Sequence, residues 1–214
     1  MISDTDRSFR KVSKLERRLC YEERQTVVGL DEVGIGCLAG PVVAAAVVWD
    51  YNSHSAGITD SKLLSKNKRQ ELFSYIMTKA RSVSVGWASP AEIDMINILE
   101  ASRLAMKRAL KAAEIKPDVI VIDGNRGLPN VSLRQITVVG GDRKILCISA
   151  ASIVAKVLRD ELMYCFDRIF PGYGFYSNVG YPTDEHRRAI ENLGVSVIHR
   201  KAYKGVREFV DRIR

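Results

Sequence analysis

Three stretches of the sequence that favour β-strands each end at an acidic residue beside a glycine. The ends are Asp31-Glu32 before Gly34, Asp123 before Gly124, and Asp142 after Gly141. A carboxylate that is left unpaired at the end of a buried strand is costly, so it needs a partner of opposite charge. These four acids are therefore candidates for chemistry rather than for ordinary surface charge.

Two kinds of partner could neutralise these acids. Lys or Arg side chains would turn them into structural ion pairs, whereas oxygen-only ligation would select the hard cations Mg²⁺ or Mn²⁺. Adjacent strand residues such as Asp31 and Glu32 point to opposite faces, so both reach one site only where the strand ends. Gly34 and Gly36 favour an end at this point. The residues alone leave the metal site and the ion pairs both open.

The composition predicts that these acids belong to one ordinary globular domain. The chain has 214 residues, of which 46% are hydrophobic and 27% are charged, and this excludes disordered and fibrous proteins. The longest nearly charge-free run, residues 34–49, is too short and too rich in Gly and Pro to span a bilayer. The first residues include acids and no apolar secretion-signal segment. We therefore expect no membrane segment and a cytoplasmic protein.

The net charge and the cysteines add to this description. The formal net charge is +8, and basic residues concentrate from residue 187 onward, so we expect phosphate contacts at the C-terminal end. The cysteines lie too far apart for a CxxC pair, and we expect reduced packing residues. They are Cys20, Cys37, Cys147 and Cys165. The sequence shows no surplus apolar stripe, which favours a monomer.

The remaining pattern predicts strands first and helices interleaved later. Strands are expected near residues 26–30, 41–49, 82–87, 118–123 and 134–139. Helices are expected at residues 65–80, from Ser89, from Asn97 to Ala113, at 149–166 and at 184–193. Capping patterns at Ser89 and Asn97 mark two separate helix starts. This order of elements indicates a single α/β domain.

The motifs around the acids resemble those of one family. Residues 31–46, which read DEVGIGCLAGPVVAAA, are similar to the opening motif of the type 2 ribonucleases H, the prokaryotic ribonuclease HII family. Further motifs follow in the family's order: Asp60-Ser61-Lys62, residues 122–125 (IDGN), 141–144 (GDRK), 150–160 (AASIVAKVLRD), 180–183 (GYPT) with His186, and His199-Arg200. The resemblance covers about residues 27–203, and the ordered set is far more specific than any single motif.

The resemblance implies a ribonuclease H-like α/β fold, with a central mixed sheet flanked by helices and a C-terminal helical extension. The first 25 residues are polar and without an apolar stripe, so we expect an N-terminal arm or short helix (1–25), followed by the catalytic domain (26–182) and a basic helical segment (183–214) packed on the same domain. The resemblance further implies an endonuclease that hydrolyses the RNA strand of RNA/DNA hybrids and nicks 5′ of single ribonucleotides embedded in duplex DNA.

The family's catalytic metal site maps onto Asp31, Glu32, Asp123 and Asp142. Four carboxylates can hold two Mn²⁺ or Mg²⁺ ions about 4 Å apart, which suits in-line attack on phosphorus. Cleavage by this route would leave 3′-hydroxyl and 5′-phosphate ends.

The resemblance also implies how the substrate is recognised. Gly34, Ile35 and Gly36 occupy the family's glycine-flanked turn, whose backbone can approach a ribose 2′-hydroxyl closely. Tyr181 matches the tyrosine that stacks on the sugar beside the ribonucleotide, and Lys62 is a candidate phosphate contact. Without the resemblance, the two would be read as a half-buried core tyrosine and a surface lysine. The family usually has Arg where Ile35 stands, so we expect weaker affinity, lower activity or altered metal preference.

Four further polar residues each allow two interpretations, and a fifth is interpreted as an ordinary surface residue. His186 and His199 could assist phosphate binding or proton transfer, or could be structural or solvent-facing. Lys144 and Lys156 could contact substrate or pair with carboxylates. We interpret Arg143 as a surface residue.

Three other functions have to be separated from this one. Type 3 ribonucleases H share the acidic pair before a Gly-rich turn, but they carry an additional N-terminal domain for which about 25 residues are too few. A non-enzymatic nucleic-acid-binding module would use the basic C-terminal segment, although clustered acids without metal repel a polyanion. An exonuclease or resolvase of the wider superfamily is the third. Metal-dependent cleavage at an embedded ribonucleotide would distinguish them.

Overall fold

A mixed five-stranded sheet forms the centre of the computed structural model, which describes residues 12–55 and 57–212. The strands are β1 (Val27–Val33), β2 (Val42–Val48), β3 (Ser82–Ala88), β4 (Val119–Asp123) and β5 (Arg134–Val138). Their order across the sheet is β3-β2-β1-β4-β5. The pairs β1–β2 and β2–β3 are antiparallel, whereas β1–β4 and β4–β5 are parallel. All five predicted strands are present.

Seven α-helices surround this sheet within the described residues. They are α1 (Lys14–Arg17), α2 (Lys66–Lys79), α3 (Pro90–Lys111), α4 (Gly141–Lys144), α5 (Leu146–Ile169), α6 (Phe175–Asn178) and α7 (Asp184–Leu193). The described residues also form a π-helical turn (Arg18–Glu22) and two 3₁₀ turns (Ser61–Leu63 and Arg207–Arg212). None of these helices is long and apolar enough to cross a membrane. The predicted fold class, a mixed sheet flanked by helices, is confirmed.

The sheet separates two hydrophobic layers because alternate strand residues face opposite sides. In β4, Val119 and Val121 pack in the layer that contains α5, whereas Ile120 and Ile122 pack against α3. β4 is therefore buried on both faces, as its near-continuous apolar sequence predicts. Only the residue at its carboxyl end, Asp123, is polar.

Local capping explains where the helices on the α3 side begin. The Ser89 side chain accepts the Glu92 N–H, and the Glu92 carboxylate accepts the Ser89 N–H, which forms the predicted capping box. Asn97 has a φ of 65°, which kinks α3, and its Oδ1 accepts the N–H groups of Leu99 and Glu100. The second predicted helix start is thus present as a kink in one long helix.

A distant carboxylate caps the central helix α5. Glu16 is fully buried, and its two carboxylate oxygens accept the N–H groups of Leu146 and Cys147 at 3.1 Å each. Its Oε1 also accepts the Tyr51 hydroxyl at 2.8 Å. The cap moves the start of α5 from the predicted Ser149 to Leu146, because Glu16 satisfies N–H groups that the local sequence leaves unpaired.

The four cysteine thiols are free, but they do not share one environment. Cys37 and Cys147 are buried and Cys20 is half-buried, whereas Cys165 is exposed on α5. The expectation that all four are packing residues is wrong for Cys165, because it lies on the outer face of that helix.

Two buried histidines form a hydrogen-bonded pair in the C-terminal part of the domain. Their Nε2 atoms lie 3.1 Å apart and share a hydrogen bond, so one Nε2 carries the hydrogen and the other accepts it. His186 Nδ1 lies 2.9 Å from the Tyr181 carbonyl and donates to it, and His199 Nδ1 accepts the Ser196 N–H at 3.0 Å. Both rings are therefore neutral and structural, and the solvent-facing alternative is wrong.

We expect the contribution of this histidine pair to the unfolding free energy to fall as the solution becomes acidic. Burial lowers the pKa of His199 to about 3, and burial also lowers that of His186. The unfolded chain takes up protons near its ordinary pKa of about 6.5 while the folded chain does not, so each histidine removes up to about 1.4 kcal/mol per pH unit below that value. Chemical denaturation between pH 7 and 5 should show that the unfolding free energy of the unaltered chain falls relative to that of His199→Gln.

The exposed His54 provides the matched control for this experiment. His54→Gln removes a histidine outside the buried pair, so comparing the two variants shows whether the pH effect belongs to that pair. Parallel pH profiles for His199→Gln and the unaltered chain would contradict the assignment of a neutral buried pair.

Candidate active site

The four predicted acids meet at the edge of the sheet where β1 and β4 end. These strands run parallel, and Leu30 pairs with Ile122, so Asp31 and Asp123 follow at the same carboxyl edge. Glu32 is the next residue of β1, and its N–H donates to Asp31 Oδ1 at 2.8 Å.

The fourth acid, Asp142, comes from the short helix α4 beside the strand ends. The N–H of the preceding residue, Gly141, donates to Asp123 Oδ1 at 2.6 Å. This contact ties α4 to the end of β4. Asp31 and Asp123, which lie 92 residues apart in the sequence, are therefore neighbours in the fold, and Asp142 joins them beside Asp123.

Burial and the neighbouring negative charges raise the pKa values of Asp31, Glu32 and Asp142. Burial raises the pKa of Asp31 well above its usual range, and the charges of Glu32 and Asp123 raise it further. Burial and then the Asp123 charge raise the pKa of Glu32 to about 7. Burial, with Asp60 and Asp123, also raises the pKa of Asp142. Asp123 is thus the common neighbour of the other three acids.

The ligand chemistry of this cluster fits a hard divalent cation. All of its side-chain donors are carboxylate oxygens, which Mg²⁺ and Mn²⁺ prefer, and it includes no Cys or His. Within residues 12–55 and 57–212, no three His, Cys, Asp or Glu side chains already have the spacing of a metal ion's ligands. Two of the acids instead accept backbone N–H groups, as described above.

The 3₁₀ turn Ser61–Leu63 places Lys62, the predicted phosphate contact, near the cluster. Lys62 Nζ lies 3.7 Å from Asp142 Oδ2, and its side chain is 76% exposed. The Lys62 N–H donates to Asp60, which is fully buried and also forms an ion pair with Arg143 at 3.0 Å. Arg143 is a surface residue, as predicted, and its 64% exposed side chain also pairs with Asp60. Asp60 appears in the sequence motif, but nothing local in the sequence indicates this partner.

The glycine-flanked turn between β1 and β2 is shaped by two buried guanidinium groups. Gly34 has a φ of +98°, and a Cβ at this position would lie 2.3 Å from Arg159 Nε, so a side chain is excluded. Arg200 donates to the carbonyls of Gly34 and Ile35 at 2.6 and 2.9 Å. The Ile35 side chain is 44% exposed, and a Cβ added at Gly36 would meet open space.

Both guanidiniums are fully buried and donate to backbone carbonyls. The acceptors of Arg159 are the carbonyls of Ala39, Pro41 and Val179, and Arg200 also reaches that of Gly40. Neither forms an ion pair with a carboxylate in the part of the chain that the structure describes. The expectation of phosphate contacts at the C-terminal end is therefore wrong for Arg200, since its donors are already used internally. Sequence reasoning missed both residues as positioning groups.

Tyr181 lies at the surface of the same region. It is 37% exposed, and the cationic groups of Lys156 and Arg159 lie 5.8 and 6.0 Å from its ring centroid. Lys156 also forms an ion pair with Asp160 at 2.7 Å, so the carboxylate-partner interpretation holds for this lysine. Lys144 instead donates to a backbone carbonyl.

Comparison with known proteins identifies the family. A sequence profile for the family described as Ribonuclease HII matches residues 28–206. The chain is 48% identical over 189 residues to the Ribonuclease HII of Moorella thermoacetica, and this alignment covers 88% of the chain and 91% of that protein.

Two solved structures show the same fold. The ribonuclease H2 of Pyrococcus horikoshii OT3 superposes with a TM-score of 0.72 at 28% identity, covering 87% of this chain and 97% of that one. Bst-RNase HIII in complex with Mn²⁺ superposes with a TM-score of 0.67 at 20% identity, covering 87% of this chain and 69% of that one. At this identity the match shows a likeness of fold alone. The chain therefore belongs to the ribonuclease HII family, the metal-dependent type 2 ribonucleases H that cleave the RNA of RNA/DNA hybrids.

Proposed function

We propose that the protein also nicks duplex DNA 5′ of single embedded ribonucleotides, and that it does so with two divalent metal ions. The observation that carries this proposal is the meeting of Asp31, Glu32, Asp123 and Asp142 at one sheet edge, where the first three repel one another. Buried like charges of this kind require compensation, and oxygen ligands suit Mn²⁺ or Mg²⁺.

In this proposal the four acids hold the ions and the surrounding backbone fixes the acids. When bound, two such ions supply an activated water for in-line attack and stabilise the leaving 3′ oxygen, giving 3′-hydroxyl and 5′-phosphate ends. The Gly141 N–H orients the Asp123 carboxylate, and the Glu32 N–H orients that of Asp31. These contacts pre-organise the ligands, which reduces the rearrangement needed on binding.

The turn at Gly34, Ile35 and Gly36 is proposed to recognise the ribose. Arg200 occupies the first two carbonyls of this turn, whereas the N–H groups of Ile35 and Gly36 have no partner among the described residues. Exposed N–H donors on a side-chain-poor turn suit close approach to a 2′-hydroxyl. The partly exposed Tyr181 ring would stack on the neighbouring sugar.

Lys62 completes the proposed substrate contacts. Its ammonium group is largely exposed beside Asp142, so it can bind a phosphate. A monomeric state and a cytoplasmic location stay predictions from the sequence.

Asp123→Asn tests the role of the acids. The amide retains an oxygen that can accept the Gly141 N–H and it removes a repelling charge, so we expect an unfolding free energy equal to or above that of the unaltered chain. Nicking of a duplex with one internal ribonucleotide should fall by more than about 10³-fold, since a metal ligand is lost. The measurement is gel analysis of the cut strand with Mn²⁺, with Mg²⁺ and with chelator, alongside an all-DNA duplex.

Asp60→Asn is the matched control. Asp60 is a buried acid paired with Arg143, so its loss should lower stability by about 1–3 kcal/mol. The proposal fails if the unaltered chain cuts the duplex with one internal ribonucleotide neither with Mn²⁺ nor with Mg²⁺. It also fails if Asp123→Asn keeps full activity.

Gly36→Ala tests whether the substrate closely approaches the turn. The added methyl group meets no protein atom within 4 Å, so the fold should keep its stability or gain up to about 1 kcal/mol. In the proposed complex that methyl would occupy space needed by the ribose, and we expect KM for the hybrid to rise about tenfold, equivalent to about 1.4 kcal/mol. Steady-state kinetics and thermal unfolding measure the two effects. An unchanged KM would place the ribose elsewhere.

Ile35→Arg tests the departure from the family's usual residue. The exposed side chain leaves room for a guanidinium that could contact a phosphate, so KM should fall about fivefold, equivalent to about 1 kcal/mol. Ile35→Gln is the uncharged control of similar length. Equal kinetic constants for Ile35→Arg and the unaltered chain would show that this position does not limit substrate binding.

A further inference from the structure

A small cleft beside the carboxylates carries two arginines that the site described above does not use. The cleft has a volume of about 200 Å³. Glu32 and Asp123 line it on the strand side, and Arg103 of α3 and Arg126 of the loop after β4 line it as well. The same cleft therefore joins two of the proposed catalytic acids to two cationic side chains.

Arg103 has a hydrogen-bond donor that nothing in the described chain satisfies. Its Nη1 forms an ion pair with Glu100 one turn earlier on α3, whereas its Nε is buried and has no partner. A buried donor without an acceptor costs about 1–3 kcal/mol, so such a group in a polar cleft indicates an acceptor from outside the chain.

Arg126 also lines the cleft, on a loop that leaves space for a ligand. Its side chain is exposed. The loop begins at Gly124, where the φ is +95° and an added Cβ would meet no atom within 4 Å. The backbone that lines the cleft at this point therefore borders open space.

The two arginines are not counter-charges of the nearby acids. Among the ion pairs of the described residues, none joins Arg103 or Arg126 to Glu32 or Asp123. An anion that binds both guanidiniums would also face these two carboxylates, which repel a small free anion. A phosphate that is part of a longer strand can enter because further contacts along the strand hold it in place.

We infer that Arg103 and Arg126 bind a backbone phosphate of the nucleic-acid substrate, next to the phosphodiester at the carboxylate cluster. The planar guanidinium fork matches phosphate oxygens, and a phosphate oxygen would accept the unpaired N–H of Arg103 Nε. The inference rests on the proposed function, because it assigns a second contact for the same substrate. It places a phosphate subsite between α3 and the loop after β4.

The test compares Arg103→Gln and Arg126→Gln with Lys111→Gln, which removes an exposed charge from the end of the same helix. All three are placed in the Asp123→Asn background, and binding of an RNA/DNA hybrid is measured at several salt concentrations. We expect each arginine variant to bind several-fold more weakly and to lower the slope of log Kd against log salt by about one. Lys111→Gln should change neither quantity.

Kinetics of the same variants with Asp123 intact separate the possible outcomes. A several-fold rise in KM with little change in kcat supports the subsite. The subsite is overturned if the arginine variants match Lys111→Gln in affinity and salt slope. It is also overturned if they lose kcat while the salt slope stays unchanged, because that result indicates a structural role. The exposed Arg126 keeps the test valid if Arg103→Gln folds poorly. If the unaltered chain cuts no ribonucleotide substrate, the proposed function fails instead.

Discussion

Asp31 and Asp123 stand on adjacent parallel strands because the register pairs Leu30 with Ile122, and burial strengthens the repulsion between their charges. The strands cannot move apart without breaking the central ladder of the sheet. Two local contacts offset part of this charge: the Gly141 N–H donates to Asp123, and the exposed Lys62 lies near Asp142. They come from α4 and from the 3₁₀ turn Ser61–Leu63, which both lie beside the strand ends.

A second set of polar contacts keeps the glycine-flanked turn between β1 and β2 in place. Arg159 projects from α5 and Arg200 from the C-terminal segment, and both donate to carbonyls of the chain between β1 and β2. A buried guanidinium is costly unless its donors are satisfied, so the carbonyls have to converge on it. Arg159 also excludes any side chain at Gly34. The turn is thereby tied to the helix whose first N–H groups are capped by Glu16.

The difference between what the sequence predicted and what it missed follows from the range of the interactions. The strand that ends at Asp123 and the helix start at Ser89 depend on neighbouring residues, so a local pattern reveals them. The start of α5 depends on Glu16, which lies 130 residues away from Leu146. Arg200 lies in the basic C-terminal stretch for which the sequence predicts phosphate contacts, although it is fully buried. Family motifs located the four acids, but no local signal gives the partners that orient them.

Internal use of the cationic side chains limits which of them can bind substrate. Arg159 and Arg200 donate to backbone carbonyls, and Lys156 pairs with Asp160, so these three charges cannot move to a phosphate without leaving a buried group unpaired. With Ile35 in place of the family's usual Arg, phosphate contacts near the carboxylates have to come from other positions. In the proposed function the largely exposed Lys62 is one of these positions. A positive net charge therefore says little about affinity until the buried cations are subtracted from it.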